Sequence, residues 1–342
     1  MNTNAPHTAA VFGSYGHTAR FIIDELHRRG FALALGGRDP EKMRALADAH
    51  PHARTQVVSV DDPASLDVLL KGASVVVNSA GPFGDTTGPV IAAALRAGIH
   101  YIDITGEQPV TRQTFETYRD RLAGSGRLFL PALGFFGGLP DLLATAAMGD
   151  WAAADDIAIA FALSSWHPTE GTRKAGVRSA GKRVTFTGGR LVPAGGGRAD
   201  PVDWDFPGLG TRPVHGMATA DHITLSQHLK TPRIRTFMNE APLSDLGAAD
   251  TPPPVAVSRD GRSAQTFVVD VVVRRGEEER AASASGRDIY AVTAPLVAEA
   301  VARILDGRTA PNGVATGMRA AGEVFDADGF LSGLDAIRYA RR

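Results

Sequence analysis

The 342-residue chain predicts an α/β protein in three parts: an N-terminal Rossmann domain with a doubly wound parallel sheet, a second mixed-sheet α/β domain, and a C-terminal segment that returns to the first. Three observations predict it. From Ala9 to about Pro131, short apolar runs alternate with capped, amphipathic helical patterns, the rhythm of a parallel sheet wrapped by helices. After about Asp141 the texture changes to strand-like runs separated by irregular segments rich in Gly, Pro and Asp. A well-punctuated helix then follows Thr293. These shifts place a Rossmann domain at 1–135, a second, mixed-sheet domain at 136–290, and a helical segment packing back on the Rossmann domain at 291–342.

In the first domain the buried strands read "AAVFG", "ALALGG", "RTQVVSV", "SVVVNS", "HYIDIT" and "RLFLPA". Of the helices between them, "RDPEKMRALADAH" has Asp39 as its cap, Pro40 in the first turn and Glu41 beside the positive end of the helix dipole. "DDPASLDVLLKG" opens on Asp62 and Pro63 and stops at Gly72, and "TTGPVIAAALRAG" stops at Gly98. In the second domain "DIAIAFALS", "RVTFTGGRLV", "ITLSQ", "RIRTF" and "TFVVDVVVRR" read as strands, while "GGRLVPAGGGRADP" and "LGAADTPPPVAVSRDG" read as loops or edge hairpins. Finally "TAPLVAEAVARILDG" has Thr293 as cap, Pro295 early, one apolar face and Gly307 as its stop.

Composition excludes several functions. Lys and Arg number 36 against 37 Asp and Glu, so the net charge of −1 offers no field to attract nucleic acid or an anionic membrane, and a small-molecule partner fits better. The absence of cysteine removes a disulfide framework, a thiolate nucleophile and every Cys-ligated metal site. "MNTNAPHTAA" lacks the basic start and apolar run of a signal peptide, and "ASVVVNSAGPFG" and "LFLPALGFFGGLP" fall short of the about 20 apolar residues of a membrane span. A soluble, cytoplasmic protein is the expectation. His215, His222 and His228 are spaced by seven and six and do not share a helical face, so no metal site is expected. "DADG" at 326–329 lacks the later ligands of a calcium loop, and no GxSxG elbow is present.

In an open parallel sheet, ligands bind beyond the carboxyl ends of the strands. The first tip reads "GSYGHTA", where Gly13, Gly16 and Ala19 form a GxxGxxA variant of the dinucleotide fingerprint, and Ser14, Tyr15, His17 and Thr18 complete the turn. With a strand before it and a helix after it, this turn presents free N–H groups to a pyrophosphate; an ordinary tight turn is the competing reading. The second tip is "GGRDP". There Gly37 leaves room and Arg38 offers a planar fork to a 2′-phosphate, whereas Asp39 before Pro40 suits a helix cap better than a ribose ligand. NADP(H) is therefore preferred to NAD(H). Asp61 can face the adenine, and Ser79, Ala80, Gly81, Pro82 and Phe83 form a small-residue loop for the nicotinamide half. The fifth tip, "DITGE", brings Glu107 and Asp103 as candidate proton donors, with Tyr101 behind them. In "SSWHPTEGTRKAG", Trp166, His167, Arg173 and Lys174 can hold a carboxylate substrate or form a solvated loop.

On the segments "VFGSYGHTAR", "GGRDPEKMRAL", "VVVNSAGPF", "AALRAGIHYIDITGE", "RDIYAVTAPLVAEAVARIL" and "GEVFDADGFLSGL", the chain resembles the saccharopine dehydrogenase-like oxidoreductases. The resemblance implies a Rossmann cofactor domain, an inserted α/β domain carrying substrate and dimer contacts, and hence a homodimer. It implies NADP-dependent hydride transfer to or from a small-molecule C=N bond, as in amino-acid dehydrogenases. Reduction of an enoyl C=C bond in a lipid or natural-product intermediate is the alternative. Many members carry Cys-Gly-Phe-Asp followed by Pro and Asp after the sixth strand. This chain has "ALGFFGGLPDLL" instead, with Ala132 or Leu133 at the Cys, Phe136 at the acid and Pro140 shifted by one. The missing acid leaves a third possibility, an NADP(H)-binding sensor without catalysis.

Overall fold

The computed structural model describes residues 7–195, 200–309 and 315–342. Residues 196–199 of the glycine-rich stretch "GGRLVPAGGGRADP" and the first six of "MNTNAPHTAA" lie outside the described residues.

The first region alternates strand and helix: β1 (Thr8–Phe12), α1 (His17–Arg28), β2 (Ala32–Gly37), α2 (Pro40–Ala49), β3 (Arg54–Val57), α3 (Pro63–Leu70), β4 (Val75–Asn78), α4 (Phe83–Ala97), β5 (His100–Asp103), α5 (Gln108–Tyr118) and β6 (Leu128–Leu130). Asp39 caps α2 by accepting from the Glu41 and Lys42 N–H groups, and Asp62 caps α3 through Ala64 and Ser65. The helix α6 (Gly138–Met148) leads to β7 (Asp156–Leu163), α7 (Glu170–Ser179), β8 (Val184–Thr187), β9 (Arg190–Pro193), β10 (Val202–Phe206), β11 (Gly210–Gly216), α8 (Asp221–Ser226), β12 (Arg233–Asn239), α9 (Glu240–Gly247), β13 (Thr266–Arg275) and β14 (Glu278–Arg287). The last elements are α10 (Thr293–Leu305), β15 (Gly317–Met318), α11 (Ala321–Val324), α12 (Ala327–Ser332) and β16 (Ile337–Arg341).

Among the described residues the first sheet has seven strands in the order β15-β6-β5-β4-β1-β2-β3. Every pairing in it is parallel, and the strand order reverses between β1 and β4. Both faces are covered, as a parallel sheet requires. Val11, Leu35, Val77 and Ile102 belong to one core with α1 and α10, while Ala10, Ala34, Val76 and Phe129 belong to another with α3 and α4. The second sheet has nine strands, in the order β10-β11-β12-β7-β13-β14-β16, with β8 pairing β12 and β9 pairing β8. Here β7 and β12 are parallel, β13 pairs β7 antiparallel, and β14 pairs β13 antiparallel. Ile157, Ile159, Phe161, Val269 and Val271 alternate onto the face that shares its core with α6 and α1. One apolar core therefore runs through both sheets. No helix among the described residues is long and apolar enough to cross a membrane.

Two expectations need correction. "ITLSQ" is not a strand: Ile223 to Ser226 lie in α8 and Gln227 is its C-cap, and five residues are too few to show a period by which to tell the two structures apart. The segment 291–342 does not go to the first sheet alone. Its helix α10 packs on α1, with Arg29 bonded to Glu299 at 2.6 Å, and β15 joins β6, but β16 crosses to pair with β14. The "IRYAR" strand has five residues and too little apolar pattern to announce itself.

The two glycines of the first turn have different jobs. Gly13 has φ +83°, and a Cβ there would lie 2.7 Å from both Cα and N of Ala80 at the tip of β4. Gly16 is the N-cap of α1 and donates its N–H to the Gly13 carbonyl at 3.0 Å. Gly30 shares the φ of +83° but has nothing within 4 Å of its would-be Cβ. We expect Gly30→Ala to lose about 1–2 kcal/mol for the left-handed backbone alone. Gly13→Ala should lose a further 1–3 kcal/mol or so for the clash with Ala80. Urea unfolding of the two variants checks this; equal losses would mean that the β4 tip yields freely.

Candidate active site

A cleft of about 2010 Å³ opens at the strand-order reversal, between the β1–β5 tips on one side and α7, β8, β12 and α9 on the other. This is about twice the upper end of the ~300–1,000 Å³ of ordinary small-molecule pockets, enough for two ligands side by side.

One half is built from the first three tips. Gly13, Tyr15, Gly16, His17, Thr18, Gly37, Arg38 and Asp61 all line the cleft. Ser14 does not: it is fully buried, its Oγ donates to the Val11 carbonyl at 2.7 Å and accepts from the Gly36 N–H at 2.9 Å, and so it fastens the turn to β2. The N-cap Gly16 supplies no side-chain acceptor, which leaves the first N–H groups of α1 open to an anion. The ring of Tyr15 lies over Gly37, where a Cβ would be 2.4 Å from Tyr15 Cε1. Arg38 is exposed and has no hydrogen-bond or ionic partner among the described residues. Lys42, absent from the sequence reading, joins it from the first turn of α2, its ammonium 5.3 Å from the Tyr15 ring centre. The carboxylate of Asp39 is occupied by its cap.

In the middle of the cleft, Ser79, Ala80, Gly81, Pro82 and Phe83 line the wall together with Glu107. Ser79 Oγ also donates to the Phe12 carbonyl at 2.8 Å, which ties the β4 tip to β1. Glu107 is 3% exposed, and its Oε1 accepts from the Phe83 N–H at 2.8 Å. Burial raises its pKa, against the pull of that hydrogen bond and of Arg178. Asp103 and Tyr101 do not reach the cleft, and this corrects their reading as proton donors. Asp103 is fully buried and accepts from Tyr101 Oη (2.8 Å), Thr105 N–H (3.0 Å) and Ala132 N–H (2.8 Å), joining the β5 tip to the segment after β6. Burial pushes its pKa up to about 6.

The other half is apolar and aromatic. Trp166 lines it, stacked on Phe136 with ring centres 5.4 Å apart, and its Nε1 donates to Tyr290 Oη at 3.1 Å. The same oxygen accepts from the Thr169 N–H at 3.2 Å, and the Tyr290 ring meets His17 edge-on at 5.2 Å. His167 is misplaced by the sequence reading: it lines a separate recess of about 160 Å³ with Val255 and Val257. Arg173 does line the cleft, but its guanidinium donates to the Thr251 carbonyl at 2.7 Å and the Ala248 carbonyl at 3.3 Å, so it clamps the segment after α9. Lys174 pairs with Glu170 at 2.5 Å. Tyr290, Arg183, Met217, Leu243 and Leu246 are wall residues that sequence reasoning missed. Only Tyr290 stood in a recognisable segment, "RDIYAVTAP". The three histidines disperse to Glu240, the Thr219 carbonyl and Asp141, and among the described residues no cluster of His, Asp and Glu can hold a metal ion.

This geometry, with a free cation at the β2 tip and an open α1 N-terminus at the reversal of a parallel sheet, is that of a dinucleotide site. Residues 9–128 match the saccharopine dehydrogenase NADP binding domain family. A trans-acting enoyl reductase of Mycobacterium ulcerans is 30% identical over 131 residues, 36% of this chain and 31% of that protein. The human saccharopine dehydrogenase-like oxidoreductase is 32% identical over 148 residues, 38% of this chain and 34% of that protein. The chain thus spans about a third of the length of the curated relatives it matches. Apo saccharopine dehydrogenase (L-Glu forming) from Saccharomyces cerevisiae has the same fold, with a TM-score of 0.66 over 98% of this chain and 100% of that one at 13% identity. The family match thus lies within the first region and leaves the second sheet outside it.

The raised pKa of Asp103 has a measurable sign. Between about pH 4 and pH 6 the folded protein keeps a proton that the unfolded chain has released, so this group's contribution to stability falls as pH rises through that window. Asp103→Asn cannot titrate. The variant should therefore gain on the wild type by about 2–3 kcal/mol between pH 4 and pH 7. Urea unfolding at both pH values tests this, and a gap that stays constant would mean that Asp103 is ionised throughout.

Proposed function

We propose that the protein is an NADP(H)-dependent oxidoreductase acting on a small-molecule C=N bond in the cleft between its sheets. The observation that carries the cofactor half is Arg38, a cation without a partner among the described residues, beside Lys42 and the open N-terminus of α1. These residues fit NADP(H): Arg38 and Lys42 would hold the 2′-phosphate, the α1 N–H groups the pyrophosphate, Asp61 the adenine side, and the Ala80–Phe83 loop the nicotinamide half. When bound, the reduced cofactor supplies a hydride. Glu107 supplies the proton: Phe83 N–H fixes its Oε1, and burial favours its acid form. A carbon that gains hydride leaves its nitrogen basic, so a fixed acid at the same place in the cleft completes the reduction. The apolar wall of Phe136, Trp166, Leu243 and Leu246 favours a second reading, reduction of an enoyl C=C bond.

Arg38→Ala should lower NADPH affinity tenfold to a hundredfold, about 1.5–3 kcal/mol, and leave NADH affinity unchanged. Titration of cofactor fluorescence measures both; equal affinities in the wild type would remove Arg38 from this role. Glu107→Gln retains an acceptor for the Phe83 N–H, so NADPH should bind normally while turnover drops about 10²-fold. Turnover is read by NADPH oxidation, with 2-oxo acid and amine pairs in one series and enones in another. If no substrate in either series oxidises NADPH, a binding protein without catalysis is the better description.

A further inference from the structure

We propose that Arg183 is the anion anchor of the substrate half of the cleft, and that the substrate is a carboxylate whose apolar, planar body lies against Phe136 and Trp166. This rests on the reading of the cleft as a substrate site. The cations that the sequence suggested for a carboxylate are taken: Arg173 by two backbone carbonyls and Lys174 by Glu170. Arg183 lines the cleft half-buried and, among the described residues, its guanidinium donates only to the Ala218 carbonyl, at 3.4 Å, the long limit of a hydrogen bond. No acid pairs with it among the described residues. Arg233, Arg235 and Arg274, by contrast, share the Asp156 carboxylate. A guanidinium has five donors, and burying it without a counter-charge is costly unless a ligand completes it. The cost is visible in its pKa, which burial lowers and no neighbouring acid restores.

Its position suits the task. Arg183 immediately precedes Val184, whose N–H donates to Gln108 Oε1 (2.8 Å) and whose carbonyl accepts from Gln108 Nε2 (2.8 Å). Gln108 is the first residue of α5, directly after Glu107. A double hydrogen bond between the two sheets' domains therefore fixes the anchor relative to the proton donor. A carboxylate matches the planar fork of arginine bidentately, which an ammonium point charge would not do. The stacked Phe136 and Trp166 rings supply a flat apolar wall for the remainder of the molecule.

The test uses the full chain and two probes of one shape, cinnamate and the neutral cinnamamide, titrated calorimetrically with and without saturating NADPH. The wild type should bind cinnamate at least tenfold more tightly. Arg183→Met should abolish that preference with NADPH affinity unchanged, and Arg183→Lys should retain part of it. Thermal melts of each variant separate misfolding from lost recognition, with Arg183→Lys as the milder change. Equal binding of the two probes by the wild type, absence of cinnamate binding, or a preference that survives Arg183→Met would overturn the proposal. So would a tenfold loss of NADPH affinity in Arg183→Met, since Arg183 would then serve the cofactor. Failure of NADPH itself to bind counts against the oxidoreductase reading, whereas the cinnamate preference without cofactor still reports on Arg183.

Discussion

The structure depends on how closely two strand tips approach. Strands β1 and β4 are parallel neighbours, yet the helices that follow them leave to opposite faces of the sheet, and the gap between the departing chains is the crevice in which ligands sit. To keep β1 against β4 to the very end, the backbone at Gly13 must come within a Cβ's distance of Ala80, with Ser79 bonded across to Phe12. Gly13 is therefore demanded by protein touching protein, not by a phosphate. Its neighbour Gly16 starts α1 without a side-chain cap, and that omission is what leaves the crevice electropositive at its floor.

Besides the apolar core they share, specific polar ties hold the two sheets in one geometry around the cleft. Gln108 grips both polar atoms of Val184 and also donates to the Thr219 carbonyl at 2.6 Å. Arg178 of α7 reaches Asp85 of α4 at 2.7 Å, next to the Phe83 N–H that holds Glu107. Tyr290 collects Trp166 and Thr169 while its ring leans on His17 of the first turn, and α10, three residues on, packs along α1. A shift of the aromatic wall thus cannot occur without disturbing the start of α1. Glu107 is both a structural acceptor and a cleft-facing acid, and its burial serves the two roles at once.

The first sheet was legible because its signals are local. Asp before Pro, Gly after an apolar face and buried β-branched runs each act within a few residues, and Asp39, Asp62 and Gly98 sit in the structure where those rules put them. That the tips of β1, β2 and β4 line one cleft was legible for the same reason, since strand tips are consecutive in sequence with the strands. Ser14, Asp103 and Tyr101 were misread because a polar residue at a tip can turn inward to backbone or outward to solvent, and sequence does not record which. His167 and Arg173 failed for a related reason: neighbours of Trp166 in the chain, they face different surroundings once Tyr290 and the segment around Thr251 close on them. Arg183, Tyr290 and Leu246 were out of reach, because what makes them neighbours is the folding of chain segments up to 107 residues apart by number.

The crossing of β16 into the second sheet also settles how that sheet ends. It lies at one border, paired with β14 on one side and open on the other, and an open border invites another strand to add to it. Its sequence, "IRYAR", answers that invitation: Arg338 and Arg341 are exposed, and Arg341 is bonded to Asp328 at 2.5 Å. Charge on a short border strand repels an identical border, so the strand that ends the second sheet also discourages it from templating fibrous, end-to-end growth.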